Sequence, residues 1–394
     1  MERAGGSRRA AWIAASLLAA GTAWLAAGQG WRLGALWLVG AALGLSLYHA
    51  TFGFAGAFRI LLEEGRGAGL RAQMLMLALA VLLFQPVLAE GVLLGQPVRG
   101  FVFPAGAALV LGAFLFGIGM QIGGGCASGT LYAAGGAGIR NLLTLFFFVA
   151  GATLAAWQAA LWQDWPALPA LSLPASLGLW PAILLALIVF ALVAWGSARL
   201  ERRRHGRVEP ILGRGSFLTG PWPLAWGALA LALLNFATLA LAGRPWAITS
   251  AFPLWGSLAV GGLGWDEPVF WTYWEEPTRA EALLRPLSTE RTTVMNLGLI
   301  LGAALAAGLA GRFRWGSRIP AGQVAGSVFG GLLLGIGAVL AFGCNVSAYV
   351  SGIASGSLHG WAWIIPGLLG NWVGLRLRPL FGLGLPRRTA PQYA

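Results

Sequence analysis

The chain contains only two cysteines, Cys126 and Cys344, and their surroundings match. Residues 112–126 read GAFLFGIGMQIGGGC and residues 330–344 read GGLLLGIGAVLAFGC. Gly112, Gly117, Ile118, Gly119, Gly125 and Cys126 correspond to Gly330, Gly335, Ile336, Gly337, Gly343 and Cys344 at one constant offset, without a gap. Glycine matches are cheap in a chain with 60 glycines, but the only two cysteines falling in register are not. A neutral thiol is a weak S–H donor and a weak sulfur acceptor. A pair of them suits a soft, sulfur-bearing anion, held loosely enough to pass on. Two other chemistries stay open. The thiols could serve a membrane thiol oxidoreductase or sulfurtransferase, which for a disulfide needs Cα atoms about 4.4–6.8 Å apart, although no CxxC is present. They could also be small hydrophobes in a packed interface of a non-catalytic scaffold.

Each cysteine closes an apolar run and precedes a small polar stretch. The first continues through Ser128 and Thr130, the second through Asn345 and Ser347. Gly123, Gly124 and Gly125 resist regular helix, since glycine costs about 1 kcal/mol relative to alanine. Gly343 stands at the same point of the second copy. Irregular backbone at membrane depth is tolerated where it lines a cavity or packs on protein. A broken helix also offers unpaired N–H groups and a positive dipole end to an anion.

The elements that carry these motifs must be membrane helices. Of 394 residues, 58% are hydrophobic and 10% charged, against about 25% charged in soluble proteins. That composition excludes a soluble body, a disordered chain and a nucleic-acid binder, despite the net charge of +13. It implies an all-α, polytopic integral membrane protein embedded in the lipid bilayer. Apolar runs at 10–27, 33–48, 72–90, 104–122, 141–162, 179–198, 222–242, 292–311, 320–342 and 359–375 give nine to ten spans, with short broken or re-entrant helices. An uncleaved first helix fits such a protein better than a cleaved signal peptide.

All 26 basic residues are arginine. With a cytoplasmic N-terminus, alternation through ten spans puts 20 of them inside with five acids, and six outside with eight acids. This satisfies the positive-inside rule and makes the two Gly-Cys copies inverted, a pointer to a transporter's central site. The expected division is an N-terminal half (1–198), a basic cytoplasmic connector (199–221) and a C-terminal half (222–394). Arg199, Arg202, Arg203, Arg204, Arg207 and Arg214 in the connector read as a topology determinant. The connection 243–291 carries Trp246, Trp255, Trp265, Trp271 and Trp274, which read as interfacial anchors, with a substrate vestibule as the alternative.

Other polar residues offer less. His49, His205 and His359 have no metal-ligand spacing, so no metal or other cofactor is expected. No Walker A sequence is present. Glu90 reads as interfacial, and Arg59 as either an anchor or an anion contact beside a Gly-interrupted half-helix.

GIGMQIGGGCASGTLY at 117–132 and GCNVSAYVSGIASGSLHGW at 343–361, followed by RLRPLF at 376–381, resemble the YeeE/YedE family of sulfur-compound membrane transporters. The resemblance implies two pseudo-symmetric halves forming an hourglass in a bacterial inner membrane. It also implies thiosulfate uptake along a thiol-lined central path, with Cys126 and Cys344 as the principal contacts. The family's thiosulfate carriers have a third cysteine in an aromatic-flanked segment. Here that segment is Phe52-Gly53-Phe54-Ala55, with Gly53 at the matching position, which leaves the exact sulfur or selenium oxyanion open. The resemblance further suggests a cytosolic TusA-like sulfur carrier as partner.

Overall fold

The computed structural model describes residues 2–313, 316 and 318–384; the last stretch of the expected C-terminal half, 385–394, lies outside the described residues. The first half runs through α1 (Glu2–Gln29), α2 (Trp31–Ala50), α3 (Phe54–Glu64), α4 (Ala68–Glu90), α5 (Ala107–Gly123), α6 (Ala127–Gly135) and α7 (Ile139–Trp157). The short α8 (Leu173–Leu177) and the long α9 (Leu179–His205) lead to the connector. Then come α10 (Leu224–Ala242), α11 (Ala251–Gly262), α12 (Pro277–Leu284), α13 (Arg291–Leu309) and α14 (Ala321–Leu340). A π-helix (Asn345–Val350) continues into α15 (Ser351–Ala354), and α16 (Leu358–Leu377) follows. The only strands among the described residues are two antiparallel pairs of two residues each.

Among the described residues, nine helical stretches are long and apolar enough to cross a membrane. Helix α16, with 20 residues and the more polar His359, Asn371 and Arg376, adds another of crossing length. The chain is therefore an all-α polytopic membrane protein. Helices α1 and α9 keep large apolar side chains on the outside, among them Trp12, Trp24, Leu184 and Trp195. In water that would be a liability; in a bilayer it is the lipid-facing surface.

The repeat shows itself in packing. Helix α5 lies along α14, and α5 also packs on α16 while α14 packs on α7. A Cβ on Gly112 would meet the Gly337 carbonyl at 2.8 Å, and one on Gly119 would meet the Gly330 carbonyl at 2.8 Å. As residue numbers rise along α5 their partners fall along α14, so the two helices are antiparallel. The pairs Gly112–Gly337 and Gly330–Gly119 are equivalent under exchange of the copies. Gly117 faces Gly370 and Asn371 of α16, and Gly335 faces Phe148 and Gly151 of α7 in the same reciprocal way. These glycines let backbones touch where lipid supplies no hydrophobic drive for helix association. The order long helix, short helix, long helix, broken helix, long helix occurs as α2–α7 and again from α10 to α16.

Two sequence expectations change. Helix α9 extends through His205, so Arg199, Arg202, Arg203 and Arg204 sit on its last turns and not in a loop. Arginine is a good helix former and complements the negative dipole end. The tryptophans of 243–291 are mostly not interfacial anchors either. Trp246, Trp271 and Trp274 are buried, while Trp265 alone among the five stands fully outside. Their N–H groups explain part of this: Trp274 donates to Ser257 and Trp271 to Asp266.

Candidate functional site

Both Gly-Cys elements are helix breaks, and they share one backbone geometry. Helix α5 stops at Gly123; Gly124 takes φ 91°, and Cys126 (φ −80°, ψ −174°) stands immediately before α6. In the second copy Phe342 takes φ 57° and Gly343 φ 144°. Cys344 (φ −90°, ψ −170°) then stands before the π-helix. Positive φ is what glycine supplies without strain. At Gly343 a side chain is also excluded by space, since its Cβ would lie 2.6 Å from the Ser347 Cβ. Each cysteine thus stands at the N-cap position of a helical segment whose first N–H groups lack intrahelical acceptors, and its thiol makes no capping bond to them.

Both cysteines are buried free thiols. The Cys126 sulfur lies 3.4 Å from the Ser128 hydroxyl, and the Cys344 sulfur lies 3.6 Å from the Ser347 hydroxyl. Thr130 sits under Gly125 with a buried hydroxyl that has no protein partner. Asn345 is fully buried, and neither its amide nitrogen nor its amide oxygen finds a protein partner. A buried polar atom without a partner costs about 1–3 kcal/mol, so these groups are arranged for something the polypeptide does not provide.

Two separate cavities reach these breaks from opposite ends of α10. The cavity at the connector end, about 310 Å³, is lined by Gly124, Gly125 and Cys126, by Gly53, Arg59 and Gln73, and by Arg378. Gly123 stands behind it, its carbonyl accepting from Thr144. The cavity at the opposite end, about 390 Å³, is lined by Gly343 and Ser347, with Phe103, Phe342, Arg244 and Arg279. Of the residues singled out in the sequence, Cys126, Gly124, Gly125 and Gly53 therefore share the first cavity. Gly343 and Ser347 reach the second, with Cys344 and Asn345 beside them. The 243–291 connection forms much of the second cavity's wall, which favours the vestibule reading over anchoring.

That cavity is charged. Arg244 pairs with Glu290 at 3.4 Å, and Arg279 lies 4.4 Å over the Tyr273 ring and 3.9 Å from Glu276. Glu276 caps α12 by accepting from the Thr278 and Arg279 backbone N–H groups. Burial pushes its carboxyl up, but the bonds from Thr278 and Arg279 and the Arg279 charge outweigh that and hold it below the ordinary range. Burial pushes the Tyr273 phenol up, with Arg279 opposing.

Several residues escaped the sequence reading. The last carbonyls of α5 are each taken by a side chain: Gln121 by Arg378 at 2.8 Å, Ile122 by Arg140 at 2.8 Å and Gly123 by Thr144 at 3.1 Å. Guanidinium groups at a helix C-terminus satisfy its orphan carbonyls and its dipole together. Arg378 was visible only inside the RLRPLF stretch, and Arg140 had no local signal. His359, named in the sequence only as lacking metal-ligand spacing, is fully buried; its Nδ1 lies 2.7 Å from the Ser357 hydroxyl and its Nε2 has no protein partner.

A family model described as sulphur transport matches residues 49–373. The thiosulfate transporter TsuA of Spirochaeta thermophila is 29% identical over 360 residues, 85% of this chain and 96% of that protein. The probable transporter YedE of Salmonella typhimurium is 31% identical over 169 residues, 41% of this chain and 39% of that protein. YedE of Escherichia coli is 31% identical over 166 residues, with the same shares. These relatives are transporters by name, so the thiol oxidoreductase or sulfurtransferase alternative is not favoured and a transporter, not an enzyme, is indicated. With the match running through both Gly-Cys breaks and most of the helices around them, this chain belongs to the sulphur transport family.

Proposed function

We propose that this protein carries thiosulfate across a bacterial inner membrane, passing it between the thiols of Cys344 and Cys126. The observation that carries the reading is the pair of matched Gly-Cys breaks, one beside each of two cavities that open from opposite ends. The name of the Spirochaeta relative, similar over nearly its whole length, supports the choice of anion. Gly123, Gly124, Gly125 and Gly343 admit the anion to the backbone, and Ser128, Thr130, Asn345 and Ser347 supply hydrogen bonds. The halves 1–198 and 222–394 each give one thiol, joined by the basic connector 199–221.

A neutral thiol contacts the terminal sulfur weakly through S–H···S, so the anion is not trapped. The N-terminus and connector lie in the cytoplasm, where positive-inside bias places the arginines. The vestibule of Arg244 and Arg279 then faces outward and collects the dianion. A cytosolic sulfur carrier of the TusA kind receives it at the connector end. The test is radiolabelled thiosulfate uptake by proteoliposomes, with sulfite, sulfate and selenium oxyanions as competitors. Uptake above protein-free vesicles, displaced by unlabelled thiosulfate, is expected; uptake equal to protein-free vesicles overturns the reading.

A further inference from the structure

The cavity that ends on Cys126 contains a feature the thiol path does not use. Gln73, on α4, lines it and is 1% exposed, yet neither its amide nitrogen nor its amide oxygen has a protein partner. Gln121, lining the same cavity, shows how such a group is normally satisfied: its amide donates to the Ala55 carbonyl and to Asn371. Two guanidinium groups, Arg59 and Arg378, line the cavity as well. Arg378 spends one N–H on the Gln121 carbonyl, and a guanidinium carries five donors. The carboxylate lining the cavity, Glu209, is ion-paired with Arg66 outside it. Two like charges in one confined space repel, and a divalent anion between them removes that repulsion.

We propose that this cavity holds a second set of anion contacts beside the thiol, built from the Gln73 amide N–H and the Arg59 and Arg378 guanidinium groups. It rests on the transport reading only for which anion passes. Amide and guanidinium N–H groups are hard donors that match oxyanion oxygens; a thiol matches sulfur. An anion with an oxygen face and a sulfur face is therefore gripped at both ends in one cavity, oxygen toward Gln73 and sulfur toward Cys126. Sulfate, which has only oxygen faces, is held by this second set and gains nothing from the thiols.

Calorimetric titration of purified protein with thiosulfate and with sulfate tests this in a Cys126→Ala/Cys344→Ala background, where the thiols are gone. Both anions should still bind, and adding Gln73→Met should weaken both by about tenfold or more, the loss of a hydrogen bond to a charged partner. Ligand-free unfolding should not suffer, because the substitution removes two unpartnered atoms. Arg59→Gln, at a less buried site, should weaken binding similarly and serves if Gln73→Met does not fold. Binding unchanged by either substitution, or absent once the thiols are removed, overturns the second set of contacts. A protein that fails to transport thiosulfate yet loses sulfate binding with Gln73→Met overturns the transport reading and leaves those contacts standing.

Discussion

Asn345→Leu separates a binding side chain from a packing one, because the two roles give opposite signs. Leucine keeps the branch at Cγ and the heavy-atom count while replacing both amide atoms with methyl groups. In the ligand-free protein those atoms are fully buried beside Cys344 and have no protein partner. Each such atom costs about 1–3 kcal/mol, so the variant should be more stable than the parent by an amount of that order. Internal water that satisfies part of the amide would bring the gain toward the lower figure. Transport should move the other way. Losing a hydrogen bond to a charged partner costs about 1.5–3 kcal/mol, roughly a 10- to 150-fold rise in the half-saturating thiosulfate concentration. The assay pairs ligand-free unfolding in detergent with concentration-dependent uptake in proteoliposomes. A variant that is less stable by a similar amount and takes up thiosulfate normally would refute the reasoning, since Asn345 would then be an ordinary packing residue.

Two further outcomes follow from the geometry. Gly53 has extended backbone (φ −130°), and a Cβ there would lie 3.7 Å from the Tyr132 hydroxyl, ordinary contact; Gly53→Cys should fold within about 1 kcal/mol of the parent and raise thiosulfate uptake, whereas a loss of either is contrary. Because Glu276 is held below the ordinary carboxylate range, its cap on α12 contributes stability above that range and loses it as pH falls through the lowered pKa. Amide protection across 278–284, taken relative to the intrinsic exchange rate at each pH, should therefore be flat from neutral pH down to the ordinary carboxylate range and fall below it, and Glu276→Gln should erase the step; a step near neutral pH is the contrary result.

How much of this was legible in the sequence depends on whether a feature is local. The helix breaks were legible because three consecutive glycines and an in-register cysteine pair are local facts. The span positions were legible because apolar run length reports helices long enough to cross a membrane, and the antiparallel packing of α5 on α14 agrees with inverted copies. Glycine was the less reliable guide to the site. Gly112, Gly117, Gly119 and their partners serve helix crossings and border neither cavity, whereas Gly124, Gly125 and Gly343 at the breaks do, together with Gly53, Gly56, Gly69 and Gly129 from other elements. Gln73, Arg140 and Arg378 were not legible as site residues, since they come from three helical elements far apart in sequence and meet only through packing. The tryptophans of 243–291 misled for a related reason: an indole serves an interface or a buried hydrogen bond equally well, and the Ser257 and Asp266 acceptors are visible only once the segment is folded.

The central claim is that Cys126 and Cys344 are both contacts of the translocated anion. Radiolabelled thiosulfate uptake by proteoliposomes containing Cys126→Ala, Cys344→Ala or the parent protein, at matched protein density, tests it most directly. The account predicts that each single substitution abolishes or severely slows uptake while the proteins remain folded. Parent-level uptake in both variants would contradict it.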